Sequence, residues 1–109
     1  MMQTMYDRIR ELRIKKRMSQ NDLAVAMGYK DRSMISRIEK GEIDLQQSKI
    51  IAFSKILGTT IRYLMDGEKP TEEQLVAIAY TRADDGTKSA VRKLLDIPEA
   101  KKDTESFAG

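Results

Sequence analysis

The 109-residue sequence predicts an all-α fold, and three observations carry that expectation. Apolar residues recur three and four apart along most of the chain, the spacing of one helix face. Helix-start residues of the Ser, Thr and Asp type alternate with glycine stops at short intervals. Alternating apolar and polar runs, the mark of half-buried strands, are nearly absent.

Taken in order, Thr4-x-x-Asp7 reads as a capping box with Asp in place of the usual Glu or Gln, and Ile9 and Leu12 continue a helix to about Lys16. Ser19-x-x-Asp22 opens a second helix over 20–27, with Leu23, Ala24 and Met27 on one face and Gly28 as its stop. Asp31 caps a third helix over 32–40, whose Ile35 and Ile38 face inward and which ends at Gly41. A polar stretch leads to a fourth helix near 46–57, carrying Ile50, Phe53, Ile56 and Leu57 and closed by Gly58. Thr60 caps a short fifth helix with Ile61, Leu64 and Met65. These apolar sets predict a five-helix bundle over 1–66, with Met18, Met27 and Met65 as core filling.

The segment 67–71 reads as a linker, because Gly67 and Pro70 punctuate it and the charge balance changes sign there. Thr71-x-x-Gln74 is a third capping box and opens a helix over 72–81 with Leu75, Ile78 and Ala79. After a turn at Asp84–Gly86, a last helix runs to about Asp96 with Val91, Leu94 and Leu95. Residues 72–97 thus form a candidate helical hairpin, and 98–109, charged and apolar-poor, a disordered tail.

Composition narrows the function classes. Without Cys there is neither a disulfide framework nor a zinc–thiolate site, and without His the commonest general base and metal ligand are missing. The remaining Ser, Lys and carboxylates show no nucleophile, phosphate-loop or metal spacing, so neither an enzyme nor a metal or other cofactor is expected. No apolar run approaches a bilayer span, and a cytoplasmic protein is the expectation. Residues 1–70 carry 14 Lys/Arg against 9 Asp/Glu, whereas 71–109 carry 6 against 8. That asymmetry fits a polyanion partner for the first part of the chain, although scattered lysines and arginines also make an ordinary solvated surface.

Residues 19–41, SQNDLAVAMGYKDRSMISRIEKG, sharpen that partner. Two short helices joined by a glycine-containing turn form a helix-turn-helix, whose second helix reads base edges in a DNA major groove. With Ile35 and Ile38 inward, the residues left to face bases are Arg32, Ser33, Ser36 and Arg37. Each Arg can fork onto guanine O6 and N7 or rest on a phosphate; Ser discriminates little. Lys30, Lys40 and Lys49 are candidate phosphate anchors, which set affinity and salt dependence rather than sequence choice. Met34 is a candidate for a thymine methyl or for the core.

LRIKKRMSQNDLA, MISRIEKG and IIAFSKILGTTIRYLM, over about residues 5–66, resemble the Cro/CI-type (Xre-like) helix-turn-helix family of phage repressors and small bacterial regulators. The resemblance implies a five-helix, lambda-repressor-like DNA-binding domain acting as a homodimer on a near-palindromic operator. It implies that Gln20 binds phosphate at the start of the second helix. It also implies that Arg13 pairs with Glu39 to brace the reading helix. Two departures stand out: the turn Gly28–Asp31 is one residue longer than the shortest family form, and Leu45 and Gln47 occupy positions where many relatives have Pro and an apolar residue.

The expected function is a sequence-specific transcriptional repressor of double-stranded DNA, of phage or prophage type, with the 72–97 hairpin as a dimerisation element. An antitoxin whose tail holds a toxin, and a restriction–modification controller, are the alternatives. A toxin or an antirepressor protein would accordingly be a further partner.

Overall fold

In the computed structural model, which describes residues 3–95, seven α-helices follow one another: α1 (Met5–Lys15), α2 (Gln20–Met27), α3 (Arg32–Glu39), α4 (Gln47–Leu57), α5 (Ile61–Asp66), α6 (Glu72–Arg82) and α7 (Asp85–Leu94). No strand is present among the described residues. The fold class is therefore the all-α one expected.

The helix starts obey local rules. Thr4 and Ser19 each accept the N–H of the residue three further on, Asp7 and Asp22, and receive that residue's carboxylate on their own N–H. Thr71 and Gln74 exchange the same two bonds, at 2.9 and 3.1 Å. Each box satisfies two of the N–H groups that a helix start leaves without partners.

One acid-limb prediction follows from these caps. The backbone N–H groups of Thr4, Ser19 and Thr87 hold the carboxyls of Asp7, Asp22 and Asp84 below the ordinary value of 3.8, and the Ser33 hydroxyl does the same for Asp31. Because these folded-state values are depressed, the stabilisation is present in full above the unfolded value and is lost as pH falls through the folded ones. Thermal melts should therefore decline on acidification below about pH 4. Asp22→Asn should flatten part of that decline; an unchanged acid limb would remove the caps as its cause.

The chain divides into two compact units, residues 1–76 and 77–109. In the first unit the core is Ile9, Leu23, Ala24, Ile35, Ile38, Ile50, Phe53, Leu57 and Leu64. Every one of α1 to α5 contributes, so each buries its apolar stripe against the others. Leu12, Met18, Met27, Met34, Ile56 and Ile61 pack around that centre, half-buried.

Two expectations need correction. Met65 is 53% exposed rather than core: it lies in the last turn of α5, and no further helical turn closes over it. Asp85 and Gly86 are helical rather than turn, because Asp84 caps α7 by accepting the Thr87 N–H at 2.7 Å. Met34, for which the sequence left both the core and a thymine methyl open, packs against the core and stays partly exposed. In the second unit, Tyr80 and Arg92 are hydrogen-bonded between α6 and α7, and Lys88 stands 5.8 Å from the Tyr80 ring centroid. Leu94 and Leu95 stay 84% and 61% exposed. The tail 98–109 and the end of the hairpin at 96–97 lie outside the described residues.

Candidate nucleic-acid interface

The α2–turn–α3 unit is built around one glycine. Gly28 takes the left-handed conformation at φ 78°, and the next N–H, of Tyr29, returns to the Ala24 carbonyl at 2.9 Å. That closes α2 and turns the chain within four residues, 28–31. An L side chain at Gly28 would be strained even though the space around it is open. Asp31 then starts α3 by accepting both the N–H and the hydroxyl of Ser33.

Helical rotation divides α3 into two faces. Ile35 and Ile38 are 0% and 1% exposed, which fixes the inner face. Arg32, Ser33 and Arg37 are exposed on the outer face, with Lys40 at the helix's C-cap, while Ser36 is half-buried at the flank. The Ser33 hydroxyl is already committed to Asp31 as a donor, so towards a base edge it has acceptor capacity to offer. Arg37 Nε lies 3.6 Å from Glu42 Oε1, both side chains being more than half exposed. Such a pair is weak and exchanges readily for a stronger anion.

The scaffold holds α3 by a charged network. Arg13 donates through Nε to Glu39 Oε2 at 2.7 Å and through Nη2 to Oε1 at 3.2 Å, a forked pair whose side chains are only 11% and 4% exposed. The third guanidinium arm, Nη1, donates to the Met18 carbonyl at 2.8 Å and so also fixes the loop into α2. Gln20, expected on phosphate, directs its side-chain amide to Glu39 Oε1 at 3.2 Å. One of its two N–H groups is thus used internally; the other, and the free backbone N–H groups of the α2 start, remain for an anion.

Lys30 is exposed in the turn, and Lys49 sits over the Tyr29 ring at 5.4 Å from its centroid. Tyr29 itself is half-buried against the core, and burial pushes its phenol pKa up. Lys49 is thereby held beside the turn while its charge stays exposed. The expected residues thus fall into three groups: Arg32, Ser33, Ser36, Arg37 and Lys40 on α3, the Arg13–Glu39–Gln20 network behind it, and Lys30 with Lys49 around the turn.

One functional support escaped the sequence. Arg8 is buried, with no carboxylate partner among the described residues, and donates to the carbonyls of Leu64 at 2.9 Å, Met65 at 3.0 Å and Gln3 at 2.9 Å. A charged residue on the Met5–Ile9–Leu12 stripe of α1 was the available signal. Among the described residues no group of His, Cys, Asp and Glu is placed to hold a metal ion, and no helix is long and apolar enough to cross a membrane.

Comparisons with known proteins agree with this geometry. A family model described as helix-turn-helix matches residues 9–64, just over half of the chain. The comparison with curated proteins gave no match. Among solved structures the chain is similar to the P22 c2 repressor protein, determined in complex with synthetic operator 9T in the presence of Tl+. The identity is 31% and the TM-score 0.57, over 62% of this chain and 100% of that one. With the capped helices, the Gly28 turn and the Arg13–Glu39 brace all in place, the chain belongs to the Cro/CI-type (Xre-like) helix-turn-helix family.

Proposed function

We propose that this protein is a DNA-binding transcriptional repressor of phage or prophage type that occupies its operator as a homodimer, with α3 in the major groove. The observation that carries this reading is the split of α3: an inner face locked by Ile35, Ile38 and the Glu39 brace, and an outer face of Arg32, Ser33 and Arg37 open to solvent. A rigid helix with an exposed cationic face can enter a groove without a conformational change, so little binding energy goes into ordering it. The likeness to a repressor determined on an operator supports the same reading.

Arg37 and Arg32 read guanines in this arrangement, while Lys30, Lys40, Lys49 and the α2 start neutralise phosphates. The test is a salt-titrated binding assay on DNA from upstream of the protein's own gene. Arg37→Ala should cost about 1–3 kcal/mol and relax specificity at one base pair. Lys40→Ala should instead weaken all sequences alike and reduce the salt slope by about 1. A wild-type protein without any operator preference would end the repressor reading.

Dimerisation is assigned to the hairpin because Leu94, the last residue of α7, and Leu95, its C-cap, are exposed apolar residues that a second copy could cover. Leu94→Lys with Leu95→Lys should shift sedimentation from dimer to monomer and weaken operator binding together. An unchanged operator affinity would transfer that apolar face to another partner, as an antitoxin reading requires.

A further inference from the structure

Away from α2 and α3, the first unit has a groove of about 480 Å3 between the end of α1, the α4–α5 connection and the chain after α5. Leu12, Leu57, Tyr63, Pro70 and Leu75 give it apolar walls, and Thr59 adds a hydroxyl-bearing side chain. Lys15, Lys16 and Lys69 also line it, and no acidic residue does. Among the described residues none of the three lysines is in an ion pair. Glu68, the acid next to Lys69, is turned instead to Arg62, 3.5 Å away.

We infer that this groove is a binding site for a small anion with an apolar body, such as a medium-chain carboxylate. The volume falls within the range of about 300–1,000 Å3 typical of small-ligand sites. The apolar walls suit a body of hydrocarbon or aromatic type, and the lysines offer ammonium donors to a carboxylate, sulfonate or phosphate head. A neutral apolar molecule would leave those charges unused, and a cation would be repelled. Lysine stems also lie comfortably on apolar surface while their heads stay wet, which places charge at the rim rather than in the floor. The groove shares no residue with the outer face of α3, so this inference stands independently of the proposed DNA binding.

The experiment uses the whole chain without DNA. Anilinonaphthalene sulfonate, an apolar fluorophore with an anionic head, should bind with saturable, one-to-one fluorescence enhancement. Decanoate should displace it; decanol and decylamine at equal concentration should not. The double variant Lys15→Gln, Lys69→Gln should weaken decanoate binding by roughly fivefold, because exposed ion pairs contribute modestly. Leu75→Gln, a change at a half-exposed position, should weaken it further by removing apolar wall without adding charge. Chemical-shift changes on decanoate addition should centre on Leu12, Thr59, Tyr63 and Leu75. Equal displacement by decanol, no response to the lysine variants, or shift changes confined to α7 would each overturn the inference, as would the absence of saturable binding.

Discussion

Arg13→Ala is expected to lower stability by about 3–5 kcal/mol, the usual result of leaving one partner of a buried ion pair alone. Glu39 is 4% exposed and would keep only the Gln20 amide as a donor. The same change frees the Met18 carbonyl, so the loop into α2 loosens along with α3. A loss of that size should lower the melting temperature by more than about 10 °C in a domain of this length. Operator binding should fall in parallel, and should recover on cooling to where the variant is folded. Arg13→Lys keeps the charge but cannot make the fork, and should fall between the two. The pair Arg13→Met, Glu39→Met should be more stable than either single variant, because no uncompensated charge remains. If Arg13→Ala melts like wild type and yet fails to bind, Arg13 contacts DNA directly and the brace is wrong.

Arg8→Met should cost about 3 kcal/mol, although it replaces a charge by an apolar side chain of similar length. The guanidinium supplies donors to Leu64 and Met65, two carbonyls in the last turn of α5 that the helix itself cannot satisfy. Hydrogen bonds from a charged donor contribute roughly 1.5–3 kcal/mol each, and losing them strands the buried Leu64 carbonyl. Arg8→Lys should rescue little, since one ammonium cannot span both carbonyls and the Gln3 carbonyl in the same geometry. Gly67 belongs to the same arrangement. Its φ is 78°, and a Cβ there would stand 3.2 Å from Arg8 Nη1, so Gly67→Ala should be destabilising for both reasons. Hydrogen exchange would localise the damage: protection should be lost first in α5. Uniform loss across α1 to α5, or no loss, would remove Arg8 as the tie between α1 and α5.

Much of the reading unit was legible because its rules are short-ranged. The Thr4, Ser19 and Thr71 boxes, the Asp31 cap and the Gly28 stop each involve residues no more than about four apart. The inner face of α3 followed from helical periodicity alone, since placing Ile35 and Ile38 inward leaves Arg32, Ser33 and Arg37 outside. Periodicity failed at Met65, where the helix ends before anything can cover its side chain. The Arg13–Glu39 pair, 26 residues apart, was expected only from the resemblance, and the structure joins the two at 2.7 Å.

By itself, the sequence determined where the helices begin and stop apart from the start of α7, which faces are apolar, and that the first 70 residues are basic. Tertiary structure decided how the polar side chains are used. Arg8 meets carbonyls 56 and 57 residues away, Gln20 turns to a carboxylate 19 residues away, and Lys49 settles on Tyr29. The lysine-lined groove likewise joins α1 to the chain after α5. The reason is physical. Capping and periodicity act within about one helical turn, where the backbone fixes the distance between partners. A long side chain finds a partner far along the chain only after packing of the core has brought the two elements together.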